Sequence, residues 1–198
     1  MHDQQHEKRT AHMEMSGQQK IAASRKVVWA ALNDVNVLKQ CVPGCESIEK
    51  QSDTDMTAKV VLKLGPIKAS FNSKLTLADL DPPNGYTIIG EGKGGPAGFA
   101  KGTARVRLAD DGPNATILNY HTKVDVGGKV AQLGSRLLDS TANRLSAEFF
   151  EKFGSVVAPA GATPVQKKRQ GFFAWLLGLF GWRKQQAKPA CCESRNSA

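Results

Sequence analysis

Between Thr57 and Gly128 the sequence alternates apolar and polar residues with a period of two, and from Lys129 onward the period becomes helical. Ala58, Val60, Leu62 and Leu64 alternate with Thr57, Lys59 and Lys63. After Gly65-Pro66, the residues Ile67, Ala69, Phe71, Ser73, Leu75 and Leu77 alternate with Lys68, Ser70, Asn72, Lys74 and Thr76. Successive side chains of a strand point to opposite faces, so this pattern describes strands with one dry face and one wet face. Turn-forming runs at Asp81-Pro82-Pro83-Asn84-Gly85 and Asp110-Asp111-Gly112-Pro113-Asn114 separate them from further strands at Tyr86–Gly92, roughly Gly98–Leu108 and roughly Ala115–Val126. The result is an antiparallel meander.

In the segment that follows, Val130, Leu133, Leu137, Thr141, Leu145, Phe149, Phe153 and Val157 form one stripe at helical spacing. A helix over Lys129–Val157, about 28 residues or roughly 42 Å at 1.5 Å per residue, needs a large apolar partner. The dry face of the meander provides it. Upstream, the spacing gives a strand near Met13–Ile21, a helix with Val27, Val28, Ala31 and Leu32 on one face and Ser24 as its cap, and a short helix at Val35–Cys41 ended by Pro43-Gly44. The expected class is therefore α+β: a helix-grip fold in which a curved antiparallel sheet wraps around a long C-terminal helix, with a short hydrophobic C-terminal tail.

A chain of 198 residues holds one well-buried domain with extensions. The expected organisation is a disordered lead-in at 1–12, the helix-grip domain at 13–157, a flexible basic linker at 158–170, a hydrophobic membrane-interface segment at 171–184 and a disordered end at 185–198. The polar N-terminus has no apolar run of the kind a secretory signal carries. Of the formal charge of +9, two-thirds lies beyond Val157, where seven Lys/Arg face one acid. The four cysteines fall in two close pairs, Cys41/Cys45 and Cys191/Cys192, without the spacing of a disulfide framework or a zinc site, which fits a reducing cytoplasm and predicts no metal.

The inward positions of the strands include Leu62, Phe71, Tyr86, Ile88, Gly90, Gly92, Ala100, Gly102, Ala104, Tyr120, Thr122 and Val124, and none ionises near neutral pH. General acid–base, nucleophilic and metal chemistry all require such groups in a pocket, so no catalytic residue is expected. Small residues at Gly90, Gly92, Gly102 and Ala104 face the long helix, where a filled core would want bulk. They either leave an apolar cavity or let the sheet curl. On the cavity reading, a lipophilic small molecule is bound by Leu62, Phe71, Tyr86, Gly92, Gly102 and Tyr120 from the sheet and by Leu133 and Leu137 from the helix.

Gly90-Glu91-Gly92-Lys93-Gly94-Gly95 matches the dinucleotide fingerprint in letters, but that motif acts at the turn from a parallel strand into a helix, and here it lies within a meander. His121 falls on the wet face. That face also carries Lys59, Lys63, Lys68, Lys74, Lys93, Lys101, Arg105, Arg107 and Lys123, which serve either as a docking surface or as a solvated face with protected edges. No aromatic residues interleave these cations, so no nucleic-acid partner is expected.

The segment from Gly171 to Trp182 is nearly all apolar and is bracketed by Lys167, Lys168 and Arg169 on one side and Arg183 and Lys184 on the other. It is shorter than the roughly 20 residues that span a bilayer. Phe172, Phe173, Trp175, Leu176, Phe180 and Trp182, with Lys167, Lys168, Arg169 and Arg183, suit an interfacial anchor on membrane lipid. The alternative is a helix docked on its own domain or on a partner.

Several ordered motifs between about Met13 and Val157 resemble the CoxG family, named for a carbon monoxide dehydrogenase subunit, within the START-like SRPBCC superfamily. They are Cys41-Val42-Pro43-Gly44-Cys45-Glu46, Leu80–Tyr86, Gly90–Gly95 continuing to Gly98-Phe99-Ala100-Lys101-Gly102, and Val126-Gly127-Gly128-Lys129 with Ala131–Arg136. The resemblance implies an accessory protein, not an enzyme, that recruits a molybdenum hydroxylase of the CO dehydrogenase type to the cytoplasmic face of the inner membrane as a peripheral protein. It also implies a link to the quinone pool, with no covalently bound cofactor and a quinone as the non-covalent ligand. The competing expectation is a helix-grip enzyme or carrier acting on another hydrophobic small molecule.

Overall fold

A computed structural model describes residues 10–158. Seven strands form one antiparallel sheet: β1 (Thr10–Ile21), β2 (Cys45–Lys50), β3 (Asp55–Leu64), β4 (Ile67–Asp81), β5 (Gly85–Lys93), β6 (Phe99–Asp110) and β7 (Thr116–Gly127). Their order across the sheet is β1-β7-β6-β5-β4-β3-β2, so the first strand pairs with the last, from Thr10 opposite Gly127 to Ile21 opposite Thr116. Three helices complete the fold, α1 (Arg25–Leu32), α2 (Val35–Cys41) and α3 (Ser135–Val157). The curved sheet grips α3, as the change of period requires.

The alternation in β4 is visible in its burial: Ala69, Phe71 and Leu77 are buried while Lys68, Ser70, Asn72, Lys74 and Thr76 are exposed. Side chains from the inner face gather into two hydrophobic clusters. One contains Ile21, Val28, Leu32, Tyr86, Val106, Leu118 and Phe153, and the other Leu64, Ala69, Phe71, Val126, Val130 and Leu138. Phe153 is fully enclosed and stacks on Phe149 with ring centroids 5.6 Å apart. Burying such a side chain is worth about 1.5–3 kcal/mol. Polar groups tie α1 down at its start. Arg25 donates to Asn84 Oδ1 at 2.6 Å and pairs with Asp110 at 3.0 Å, and the buried Thr116 hydroxyl donates to the Ala23 carbonyl at 2.7 Å.

The structure corrects three sequence expectations and adds one strand. The first strand begins at Thr10, so residues 10–12 belong to the sheet and not to a lead-in. β2 is an additional edge strand, whose pairing with β3 shifts register between Cys45 and Ser47. Ser24 stands at the N-cap of α1 without a side-chain bond, whereas Asp34 caps α2 by accepting from the Asn36 amide at 2.8 Å. The long helix starts at Ser135 and not at Lys129, because Gly128 and Gly134 hold φ of 81° and 80°, outside helical space. A single turn of 3₁₀ helix at Ala131–Leu133 fills the gap.

Candidate functional site: a cavity between the sheet and the closing helix

Between the two clusters, the inner face of the sheet and α3 leave a cavity of about 420 Å³. β3 and β4 line it with Val60, Leu62, Leu64, Phe71, Ser73 and Leu75; β5 and β6 with Ile88, Gly90, Gly92, Ala100, Gly102 and Ala104; β7 with Thr122, Val124 and Val126. The helix presents Leu138, Thr141, Ala142 and Leu145, an i, i+3, i+4, i+7 set on one face. Small residues on both walls leave the space open, with Gly90, Gly92, Ala100 and Ala104 opposite Thr141 and Ala142.

The glycines divide between the two roles left open by the sequence. A Cβ on Gly90 would meet only Leu75 Cδ2, at 3.1 Å, and one on Gly92 would press first on the Ser73 hydroxyl at 2.9 Å. These two positions hold space that side chains would fill. A Cβ on Gly102 would instead collide with the main chain of β7 at Lys123 and Val124. Gly102 is therefore required for the close approach of β6 and β7 where the sheet curves.

Among the described residues no titratable side chain points into the cavity. Glu91, Lys101 and Thr103 border it where neighbouring glycines leave the main chain uncovered, while their side chains are exposed on the outer face. There Glu91 pairs with Lys93 at 3.5 Å. The polar groups that do turn inward are the hydroxyls of Ser73, Thr122 and Thr141. A lining of this kind excludes ions and accepts a lipophile with few hydrogen-bonding groups.

Of the sequence-derived ligand residues, the structure brings Leu62, Phe71, Gly92 and Gly102 together at the cavity. The other four lie elsewhere. Tyr86 is buried in the first cluster, edge-on to Trp29 at 5.5 Å, and burial pushes its phenol well above the usual tyrosine range. Tyr120 lies over Gly17 and packs on Phe150 with centroids 5.4 Å apart. Leu133 sits in the 3₁₀ turn against the second cluster, and Leu137 packs over Gly65 in the β3–β4 turn. In their place Leu138, Thr141, Ala142 and Leu145 form the helical wall. The signal that could have found them is the run of low-volume residues at Thr141 and Ala142 facing the glycines.

The proposed anchor residues Phe172, Phe173, Trp175, Leu176, Phe180 and Trp182, with Lys167, Lys168, Arg169 and Arg183, lie outside the described residues. Among the described residues no helix is long and apolar enough to cross a membrane, and no three His, Cys, Asp or Glu side chains cluster as metal ligands would. Cys41 and Cys45 are free thiols. Burial raises the pKa of both, against the opposing charges of Lys152 and Lys39 respectively, which keeps them protonated and weakly nucleophilic. His121 is exposed and faces Glu14 at 3.3 Å, on the wet side of the sheet. The Gly90–Gly95 run continues from β5 into a 3₁₀ turn at Gly95–Ala97 and then β6, with no helix N-terminus to receive a phosphate.

A family model for the CoxG subunit of carbon monoxide dehydrogenase matches residues 17–158, which span the helices, all of the cavity lining except Met13, and all but the first residues of the sheet. The chain belongs to the CoxG family. Among solved structures, a conserved protein from Geobacillus kaustophilus is 28% identical to this CoxG-family chain, with a TM-score of 0.69 over 73% of this chain and 95% of that one. A START superfamily protein from Mycobacterium smegmatis is similar in fold, at 16% identity and a TM-score of 0.58, covering 74% and 97% of the two chains. So is the Zhui aromatase/cyclase from Streptomyces sp. R1128, at 15% identity and a TM-score of 0.56, covering 77% and 100%. These likenesses establish the START-like helix-grip fold. No curated protein matches the chain.

Proposed function

We propose that this CoxG-family protein is an accessory adaptor that binds a lipophilic small molecule, a quinone, between its sheet and α3, and recruits a molybdenum hydroxylase of the CO dehydrogenase type to the cytoplasmic face of the membrane. The observation that carries the reading is the cavity of about 420 Å³, walled by aliphatic and aromatic side chains and free of inward charge, in a member of a family named for a component of CO dehydrogenase. A neutral, largely apolar ligand loses little on leaving water for such a site, whereas an ionic one loses its hydration without compensation. The apolar segment 171–182 and its basic brackets supply the membrane contact in this reading, through partial insertion of aromatic side chains and attraction to anionic lipid.

The enzyme reading has one observation in its favour, the fold shared with an aromatase/cyclase. It requires a proton-transfer group at the ligand, and the inward hydroxyls of Ser73, Thr122 and Thr141 are poor acids and bases near neutral pH. The adaptor reading is therefore preferred.

Flotation on anionic liposomes tests it. Full-length protein is expected to float and to carry the hydroxylase with it, and truncation after Val157 is expected to leave both in the soluble fraction. Equal flotation of the truncated protein would move the anchor to the basic outer face of the sheet. Flotation of the hydroxylase without the protein would remove the recruiting role.

A further inference from the structure

Two polar side chains are buried among the described residues, Thr116 and Thr141. Thr116 is satisfied by the Ala23 carbonyl. Thr141 is 8% exposed, lines the cavity and has no hydrogen-bond partner among the described residues. A threonine inside a helix ordinarily turns its hydroxyl back onto the carbonyl one turn earlier. At that carbonyl, Leu137 O, the Ser140 hydroxyl donates instead, at 2.9 Å. Among the described residues no fully enclosed side-chain oxygen or nitrogen is left unpaired, so the Thr141 hydroxyl opens onto the cavity space.

Its position along α3 gives this hydroxyl a specific task. Leu138, one turn before it, belongs to the cluster with Leu64 and Phe71, and Phe153, three turns after it, belongs to the other cluster. Thr141 thus marks the waist between them, where the small residues of β5 and β6 leave room for a ligand. We propose that the Thr141 hydroxyl is the hydrogen-bonding anchor of the ligand and selects lipophiles that carry a neutral oxygen, a carbonyl or hydroxyl, holding that oxygen against α3. With no inward cation to neutralise it, a carboxylate is refused at the same point. The assignment rests on the ligand-binding reading above and adds to it the ligand's polar group and the residue that reads it.

Calorimetric titration of the full chain with three probes of one shape tests the proposal: 2,3-dimethyl-1,4-naphthoquinone, whose substituted ring resists thiol addition, 2,3-dimethylnaphthalene and 2-naphthoate. The wild type is expected to bind the quinone most tightly and the carboxylate most weakly. Thr141→Val keeps the side-chain shape and removes the hydroxyl. It should lower quinone affinity about three- to tenfold, the loss of one neutral hydrogen bond, and leave affinity for the hydrocarbon unchanged. Thr141→Ser should restore the quinone preference. Equal quinone affinity in Thr141→Val, with the hydrocarbon still bound, would overturn the anchor and leave the cavity reading standing. Naphthoate binding as tightly as the quinone would overturn the selection for a neutral group. If neither the quinone nor the hydrocarbon binds the wild type, the cavity reading itself fails and the anchor with it.

Discussion

Gly102 on β6 lies so close to Lys123 on β7 that a single added carbon would strike the Lys123 carbonyl oxygen. The partner strand's main chain cannot yield as a side chain can. Gly90, one strand over and paired with Gly102, has only a movable leucine methyl group near the same position. Two glycines that look alike in the sequence therefore do different work, one allowing the sheet to bend and the other keeping the cavity open.

Gly102→Ala should consequently destabilise the protein by about 1–3 kcal/mol, the usual range for overpacking against a structure that cannot relax. Gly90→Ala should change stability by less than about 1 kcal/mol, since the lower conformational entropy of the unfolded chain offsets the mild contact with Leu75. Denaturant midpoints of the two variants provide the comparison. Equal midpoints would show that β6 and β7 can part at Gly102.

The buried bond from Thr116 to the Ala23 carbonyl joins the start of β7 to the segment leading into α1. Thr116→Val keeps the volume and leaves that carbonyl without its donor, at a cost of about 1–3 kcal/mol. Thermal unfolding measures it, and Thr116→Ser, which keeps the hydroxyl, should lose less.

Burial holds the Tyr86 phenol in its neutral form well beyond the usual range. Its pKa is raised in the folded state, so the associated stability is complete below the unfolded value of about 10 and is lost as pH rises toward the folded value. The chain has two tyrosines, so Tyr120→Phe leaves Tyr86 alone. The folded variant should show no phenolate absorbance at about pH 11, and adding guanidinium at that pH should make it appear. Phenolate absorbance in the folded state would place Tyr86 in contact with water.

Most of the sheet is legible in the sequence because one face is dry: Ala69, Phe71 and Leu77 against Lys68, Asn72 and Lys74 leave a single register possible for β4. β2 escapes such reading, since Cys45–Lys50 carries one large aliphatic residue, Ile48, and is bulged. The start of α3 escapes as well, because the apolar stripe runs unbroken through Val130 and Leu133 while the backbone at Gly134 does not. A stripe begun at Val130 places Leu137 on the apolar face, although Leu138 is the residue that lines the cavity. Strand alternation finds the face a side chain occupies and not its depth along the strand. Tyr86 and Tyr120 are on the inner face, but at the end where Trp29 and Phe150 already fill the space. Leu62, Phe71, Gly92 and Gly102 share that face at the end where the helix sets the small Thr141 and Ala142 between Leu138 and Leu145.

The central claim is that the cavity holds a lipophilic molecule. Native mass spectrometry of the full-length protein isolated from its own membranes tests it most directly, beside an Ala104→Leu/Ala142→Leu variant that fills the cavity from both walls at an overpacking cost of about 1–3 kcal/mol per site. The wild type should carry one additional small-molecule mass that is lost on collisional activation, and the folded double variant should carry none. A wild-type protein without bound mass, or a filled variant that retains the same mass as the wild type, would contradict the account.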